Sequence, residues 1–246
     1  MTNAAPRPLV AGNWKMNGGM AMLAEPRLLA TMLKDVAISC DVMICPPAIL
    51  IDNILPLFNG TNITVGGQDC HWDASGAHTG DTSAEMLKEA GCAAVIVGHS
   101  ERRTNHAETD AIVAKKAAAA HRASLTAIIC IGETLEERKS GKTLEVLTRQ
   151  IKHSVPASST PANTVIAYEP VWAIGTGLTA STAEVTQAHT HIRAELNGAA
   201  YRILYGGSVK PANAAELMGA VNVNGALVGG ASLKAADFIG IIKAYA

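Results

Sequence analysis

Eight short apolar runs, spread along the whole chain, constrain this sequence more than any other feature. They are P-L-V-A-G at 8–12, D-V-M-I-C at 41–45, N-I-T-V-G at 62–66, A-A-V-I-V-G at 93–98, T-A-I-I-C-I-G at 126–132, T-V-I-A-Y at 164–168, Y-R-I-L-Y-G at 201–206 and G-A-L-V-G-G at 225–230. Most are continuous rather than alternating, which suits strands buried on both faces, as in a parallel sheet. Stretches with helical character lie between them: S-A-E-M-L-K-E-A from Ser83, E-T-D-A-I-V-A-K-K-A from Glu108, and a run from Ser181 to Leu196. Ser181 and Thr182 stand just ahead of Glu184, a capping start for the last of these.

Over 246 residues, eight strand–helix units leave roughly 30 residues each, the length a βαβ unit needs. No Pro-, Ser- or Gly-rich linker divides the chain. The pattern predicts a single (β/α)8 barrel over 1–246, in preference to a doubly wound open sheet.

Composition narrows the possible partners. Hydrophobic residues make up 48% of the chain and the formal net charge is -1, without a run of like charge, so disorder and nucleic-acid binding are not expected. No apolar run approaches the ~18 residues of a membrane span, and M-T-N-A-A-P-R-P lacks the apolar centre of a signal peptide. Five cysteines without a C-x-x-C pair read as reduced, buried thiols, hence a cytoplasmic location.

Chemistry-bearing residues follow the apolar runs. Asn13 and Lys15 come after the first, His99, Ser100 and Glu101 after the fourth, and Glu169 after the sixth. Gly206-Gly207-Ser208 follows the seventh and Gly229-Gly230 the eighth. In a parallel barrel these positions share one rim, where the active site is built, and the turns after strands seven and eight commonly hold phosphate. Taken singly, each has a plain structural reading: a surface lysine, a turn asparagine, a solvated acid, a core histidine. Convergence from distant parts of the chain favours a site. G-T-G-L-T-A at 175–180 fits a dinucleotide fingerprint, but Pro170 to Ile174 separate it from its strand. His189 and His191 are two apart and do not share a helix face, so no metal site is expected from them.

G-N-W-K-M-N, G-H-S-E-R-R, C-I-G-E-T-L-E-E-R, A-Y-E-P-V-W-A-I-G-T-G, Y-G-G-S-V-K and L-V-G-G-A-S-L occur in that order. Together they resemble the triosephosphate isomerase family across essentially the whole chain. The resemblance implies interconversion of dihydroxyacetone phosphate and D-glyceraldehyde 3-phosphate through an enediolate, with neither metal nor organic cofactor. It implies Glu169 as the base, His99 as a neutral electrophile, Lys15 as a positive charge for enediolate and phosphate, Asn13 as a donor to the substrate and Glu101 as a supporting acid near Lys15. Backbone at Gly175, Ser208, Gly229 and Gly230 would grip the phosphate. Pro170 to Ala180 would be an apolar lid beside the base. The polar segment Gln68–Ser83 would project into a second subunit through Thr79, giving a homodimer. An isomerase of a four-carbon ketose phosphate and an inactive phosphate-binding barrel are the alternatives; Glu169, His99 and Lys15 argue against the second. The chain departs from the family pattern at His78 (usually aromatic), Asp81 (usually Glu), Leu178 (often basic), and Asn222 and Asn224 (usually Asp), which bears on dimer strength, lid motion and one buried ion pair.

Overall fold

In the computed structural model, residues 6–34, 36–175 and 178–246 are described. Thr176 and Gly177 of the expected lid, and the first five residues of the stretch searched for a signal, lie outside them. All eight apolar runs form strands: β1 Leu9–Asn13, β2 Asp41–Cys45, β3 Ile63–Gly67, β4 Ala94–Val97, β5 Thr126–Ile131, β6 Thr164–Tyr168, β7 Arg202–Tyr205 and β8 Gly225–Val228. Each pairs in parallel with the next, and β8 returns to β1, so the sheet is a closed barrel. The α-helices are α1 Ala24–Leu33, α2 Ile51–Ile54, α3 Ala84–Glu89, α4 Ser100–Asn105, α5 Asp110–Arg122, α6 Leu135–Lys139, α7 Thr143–Ser154, α8 Thr182–Glu195, α9 Pro211–Met218 and α10 Ala235–Ile242. None of the described helices is long and apolar enough to cross a membrane.

Why the runs are continuous rather than alternating is visible in the packing. Leu9, Ala11, Met43, Cys45, Ala94, Ile96, Ile128, Cys130, Val165, Ala167, Leu204 and Leu227 form one buried cluster, the filling of the barrel. Their neighbours one residue along, among them Val10, Val42, Val95, Ile129, Ile166, Ile203 and Val228, join the apolar faces of the helices in a second cluster. A strand's side chains alternate between faces, so a strand buried on both needs apolar residues at every position.

The helix starts follow local rules. Ser181 caps α8 and completes a capping box with Glu184, and Thr134 and Glu137 do the same for α6. Ser83 and Thr109 cap α3 and α5. All five cysteines are buried and unpaired, and burial pushes the Cys40 and Cys92 thiols up to about 11. His189 is fully buried in α8, and burial lowers its pKa to about 4, so it stays neutral.

Asn224 occupies the position just before β8 and carries the consequence of one departure from the family pattern. The Arg193 guanidinium donates to Asn224 Oδ1 at 2.7 Å, to Ala199 O at 2.5 Å and to Tyr201 O at 2.7 Å. Burial lowers the arginine's pKa, and no carboxylate lies within 4.0 Å of it among the described residues. Asn224→Asp supplies one. A hydrogen bond to a charged acceptor exceeds a neutral one by about 1 kcal/mol, so the variant should unfold at higher urea concentration at pH 7. Ion pairing depresses the pKa of the new Asp in the folded state. The gain is therefore present above the unfolded carboxylate pKa of about 3.9 and is lost as pH falls through the folded value. An unchanged urea midpoint at pH 7 would refute this account of Arg193.

Candidate active site

The carboxyl ends of the strands place the expected residues around one cavity of about 310 Å³. Asn13, Lys15, His99, Glu169, Gly175, Ser208, Gly229 and Gly230 all line it. Glu101 does not; it stands behind the cavity wall, with Oε1 2.5 Å from Lys15 Nζ.

Lys15 is held by its backbone before its charge enters the argument. Its φ is 53°, a left-handed conformation uncommon for a side chain of this kind. Three contacts sustain it. Asn13 Oδ1 accepts the Lys15 N–H at 3.0 Å, and Gln68 Nε2 donates to both Lys15 O and Cys45 O at 2.9 Å. The intervening Trp14 is buried and donates from Nε1 to Ser232 O at 3.1 Å. Ser232 in turn donates to Gly229 O through both N–H and Oγ. The turn after β1 is thus tied to the turn after β8. A Cβ at Gly229 would sit only 3.5 Å from Lys15 Cε and 3.9 Å from Nζ, so the ammonium lies beside the glycine turn.

Glu169 follows β6, and its backbone is packed against the end of β5. A Cβ on Gly132 would fall 1.7 Å from Glu169 O, so only glycine admits this approach. The carboxylate is 2% exposed. Its Oε1 lies 2.8 Å from His99 Nε2, and its Oε2 accepts the Ser100 N–H at 2.9 Å. Burial alone would raise the Glu169 pKa. The His99 ring, the Ser100 N–H and the Lys15 charge outweigh it, and the pKa is lowered.

His99 caps α4 through its ring: Nδ1 accepts the Glu101 N–H at 3.2 Å. Burial opposes charge on this imidazole, while Glu169 and then Glu101 pull its pKa upward. A second proton, however, would have to enter at Nδ1 and break the cap. The hydrogen bonds therefore define a neutral ring that donates from Nε2 to Glu169.

Beyond Glu169, the chain is tied on either side of 174–180 by residues that the sequence reading left without a role. Glu133, fully buried, accepts from Trp172 Nε1 at 2.8 Å and from Tyr168 Oη at 3.2 and 3.3 Å. Its main-chain oxygen accepts the Val171 N–H at 3.1 Å. Burial raises the Glu133 pKa, against the bonds from Trp172 and Tyr168. Arg138 stacks over the Trp172 ring at 4.0 Å and also pairs with Glu184, in the first turn of α8. One guanidinium thereby joins the two ends of the segment. Both Glu133 and Arg138 belong to C-I-G-E-T-L-E-E-R, where the Thr134–Glu137 capping box was the available signal. The segment opens as a 3-10 turn, Val171–Ala173, and α8 begins only at Thr182, which does not fit a dinucleotide fingerprint opening a helix. Asn17, Val209, Lys210 and Ala231 also line the cavity and were not singled out from the sequence.

Residues 8–245 match the triosephosphate isomerase family. The chain belongs to that family. A triosephosphate isomerase of Mesorhizobium japonicum is 58% identical, over 97% of this chain and 96% of that one. One from Bradyrhizobium diazoefficiens is also 58% identical, over 99% of each. The crystal structure of triosephosphate isomerase from Bartonella henselae superposes with a TM-score of 0.91 at 51% identity, covering 98% of this chain and 99% of that one.

Within this triosephosphate isomerase fold, the Arg138 clasp generates a prediction. Arg138→Met keeps the stem but removes the cation from Trp172, from Glu184 and from the buried Glu133, 3.9 Å away. A half-buried cation–π contact contributes about 1 kcal/mol, so amide exchange at 171–175 should quicken about fivefold or more, while exchange in β5 and β6 stays unchanged. Equal exchange at 171–175 in both proteins would show that the clasp does not hold the segment.

Proposed function

We propose that this chain interconverts dihydroxyacetone phosphate and D-glyceraldehyde 3-phosphate, the isomerisation of glycolysis and gluconeogenesis, within one catalytic barrel over 1–246. The observation that carries the reading is the shared cavity. A carboxylate kept ionised, an imidazole donor and an ammonium face it together with two glycine turns.

The chemistry follows from these groups. Glu169 takes a proton from the carbon next to the carbonyl, leaving an enediolate. The carbonyl oxygen gains negative charge as it does so, and Lys15, Asn13 and His99 Nε2, all at the cavity, donate to it once His99 has released Glu169. His99 moves a proton between the two oxygens. Glu169 returns its proton to the neighbouring carbon, so nothing is consumed. Backbone at Gly175, Ser208, Gly229 and Gly230 holds the phosphate, and Glu101 braces Lys15. Neither a metal nor an organic cofactor takes part.

In the structure described, Glu169 is parked. Both of its oxygens are engaged, by His99 and Ser100. To act as a base it exchanges these partners for substrate, and closure of the 170–180 segment excludes water as it does so. Trp172 and Ile174 give that segment its apolar face.

A homodimer through the loop around Thr79 fits the surface. Met16 is 96% and Ile49 83% exposed, each in a turn on the same rim as Gln68–Ser83, where a second subunit would cover them. Replacing Thr79 and Gly80 by bulky charged residues should yield monomers of weak activity. Sedimentation of that variant as an unchanged dimer would refute the assignment. A cytoplasmic location fits the five unpaired thiols.

The reaction itself is tested by a coupled assay with triose and tetrose phosphates side by side, in excess chelator. Turnover of the triose phosphates is expected; a preference for the tetrose, or loss of activity restored by a divalent ion, overturns the reading. In the same assay Glu169→Asp withdraws the carboxylate by about one methylene. A misplacement of ~1 Å costs about 10²-fold, so kcat should fall by about that factor with little change in KM. Near wild-type kcat would mean that Glu169 is not the base.

A further inference from the structure

Within the loop between β3 and α3, His71, Asp73 and His78 bring one potential ligand atom each to within 4.8 Å of one another. None of the three lines the catalytic cavity. Asp73 Oδ2 stands 3.2 Å from His78 Nε2 and 3.9 Å from His71 Nδ1, between the two rings. The rings stack with centroids 3.9 Å apart. On the far side of His71, Asp81 Oδ2 lies 3.9 Å from Nε2. From this arrangement we propose a divalent transition-metal site, of the zinc class, formed by His71 Nδ1, Asp73 Oδ2 and His78 Nε2, with solvent completing the coordination.

Geometry supports a metal rather than a simple ion-pair cluster. His71 Nδ1 accepts the Asp73 N–H at 3.0 Å, which leaves the ring's proton to Nε2, and ligation would replace this hydrogen bond with the metal. Nε2 faces Asp81 Oδ2 at 3.9 Å, beyond hydrogen-bond reach in this arrangement of the loop; a carboxylate that closes on the far nitrogen of a ligating histidine fixes its tautomer and strengthens it as a donor. Among the described residues neither Asp73 nor Asp81 has a Lys or Arg within 4.0 Å; inside that distance their partners are His71 and His78, and the Arg122 charge reaches Asp73 only from farther off. One divalent cation placed between the three ligand atoms would offset the charge of the carboxylates. Two imidazoles and a carboxylate are a donor set suited to zinc, cobalt and nickel.

The site joins the base of the loop to its outer part. His71 is anchored by its N–H to Thr82 O at 2.8 Å, whereas His78 directly precedes Thr79. An aromatic residue at 78, the usual choice in the family, cannot ligate. Metal occupancy would thus preset the shape of the loop without entering the isomerase chemistry.

The test uses the full chain, stripped of metal by chelation and dialysis, and titrated with Co2+ followed by Zn2+ competition. One Co2+ per chain is expected, with visible d–d absorption that Zn2+ abolishes. His78→Phe and Asp73→Asn should each weaken binding about tenfold or more while circular dichroism stays native. If His78→Phe does not fold, Asp73→Asn alone decides. Absence of Co2+ binding by the wild type, binding unchanged in the folded variants, or a cobalt–thiolate charge-transfer band that assigns the ion to a cysteine would each overturn the site.

Discussion

Pairing of β8 with β1 converts eight parallel strands into a ring, and the active site exists only because of that closure. Leu9 pairs with Gly225 and Gly12 with Val228. The contact is so close that a Cβ on Gly225 would lie 1.8 Å from Leu9 O. Once the ring closes, Lys15 and Gly229, more than two hundred positions apart, are neighbours across one strand pair. The link Trp14–Ser232–Gly229 transmits that pairing to the cavity wall, since the same serine that accepts from the indole donates to the glycine turn. An open doubly wound sheet of the same units would leave β1 and β8 apart, and with them the ammonium and the turn.

Charge at the site is arranged by donors that have little freedom to move. Glu169 is almost fully buried yet ionised, because an imidazole N–H and a backbone N–H meet its two oxygens. The imidazole is itself kept in one tautomer by the backbone at the start of α4. Lys15 is fixed from behind by its own left-handed backbone and from the side by Glu101. The positions of these groups are therefore set by the protein's own backbone and side-chain bonds.

The strands were legible because a strand buried on both faces writes its burial at every residue; all eight runs coincide with β-strands to within one or two positions at the ends. The capping start at Ser181 was legible for a similar reason, being purely local chemistry. The candidate site residues were picked out by their place after the strands and by family motifs, and all of them except Glu101 line one cavity. What was not legible depends on contacts between positions distant in the chain. Nothing at Glu133 announces that Trp172 and Tyr168 will both donate to it, and Arg138 looks like any solvated residue in the last turn of a helix. Lys15 gives no sign of its φ, which follows from Gln68 reaching across from the turn after β3. His71 and His78 are seven apart, a spacing that would mean one face of a helix, but the segment is a loop and its turn is what stacks them.

These long-range contacts also differ in kind on the two sides of Pro170. At Glu169, β6 has just ended and the backbone is still bonded to β5 through Glu169 N–H to Ile131 O at 2.7 Å. Three residues on, the ties change character. They become side-chain bonds to Glu133 and Arg138, groups that belong to the loop and helix after β5 rather than to the sheet. Side-chain contacts of this kind exchange at a cost of about 1 kcal/mol each, whereas unpairing the barrel would expose its filling. Opening of the contacts after Pro170 would therefore leave the strand that carries Glu169 in place.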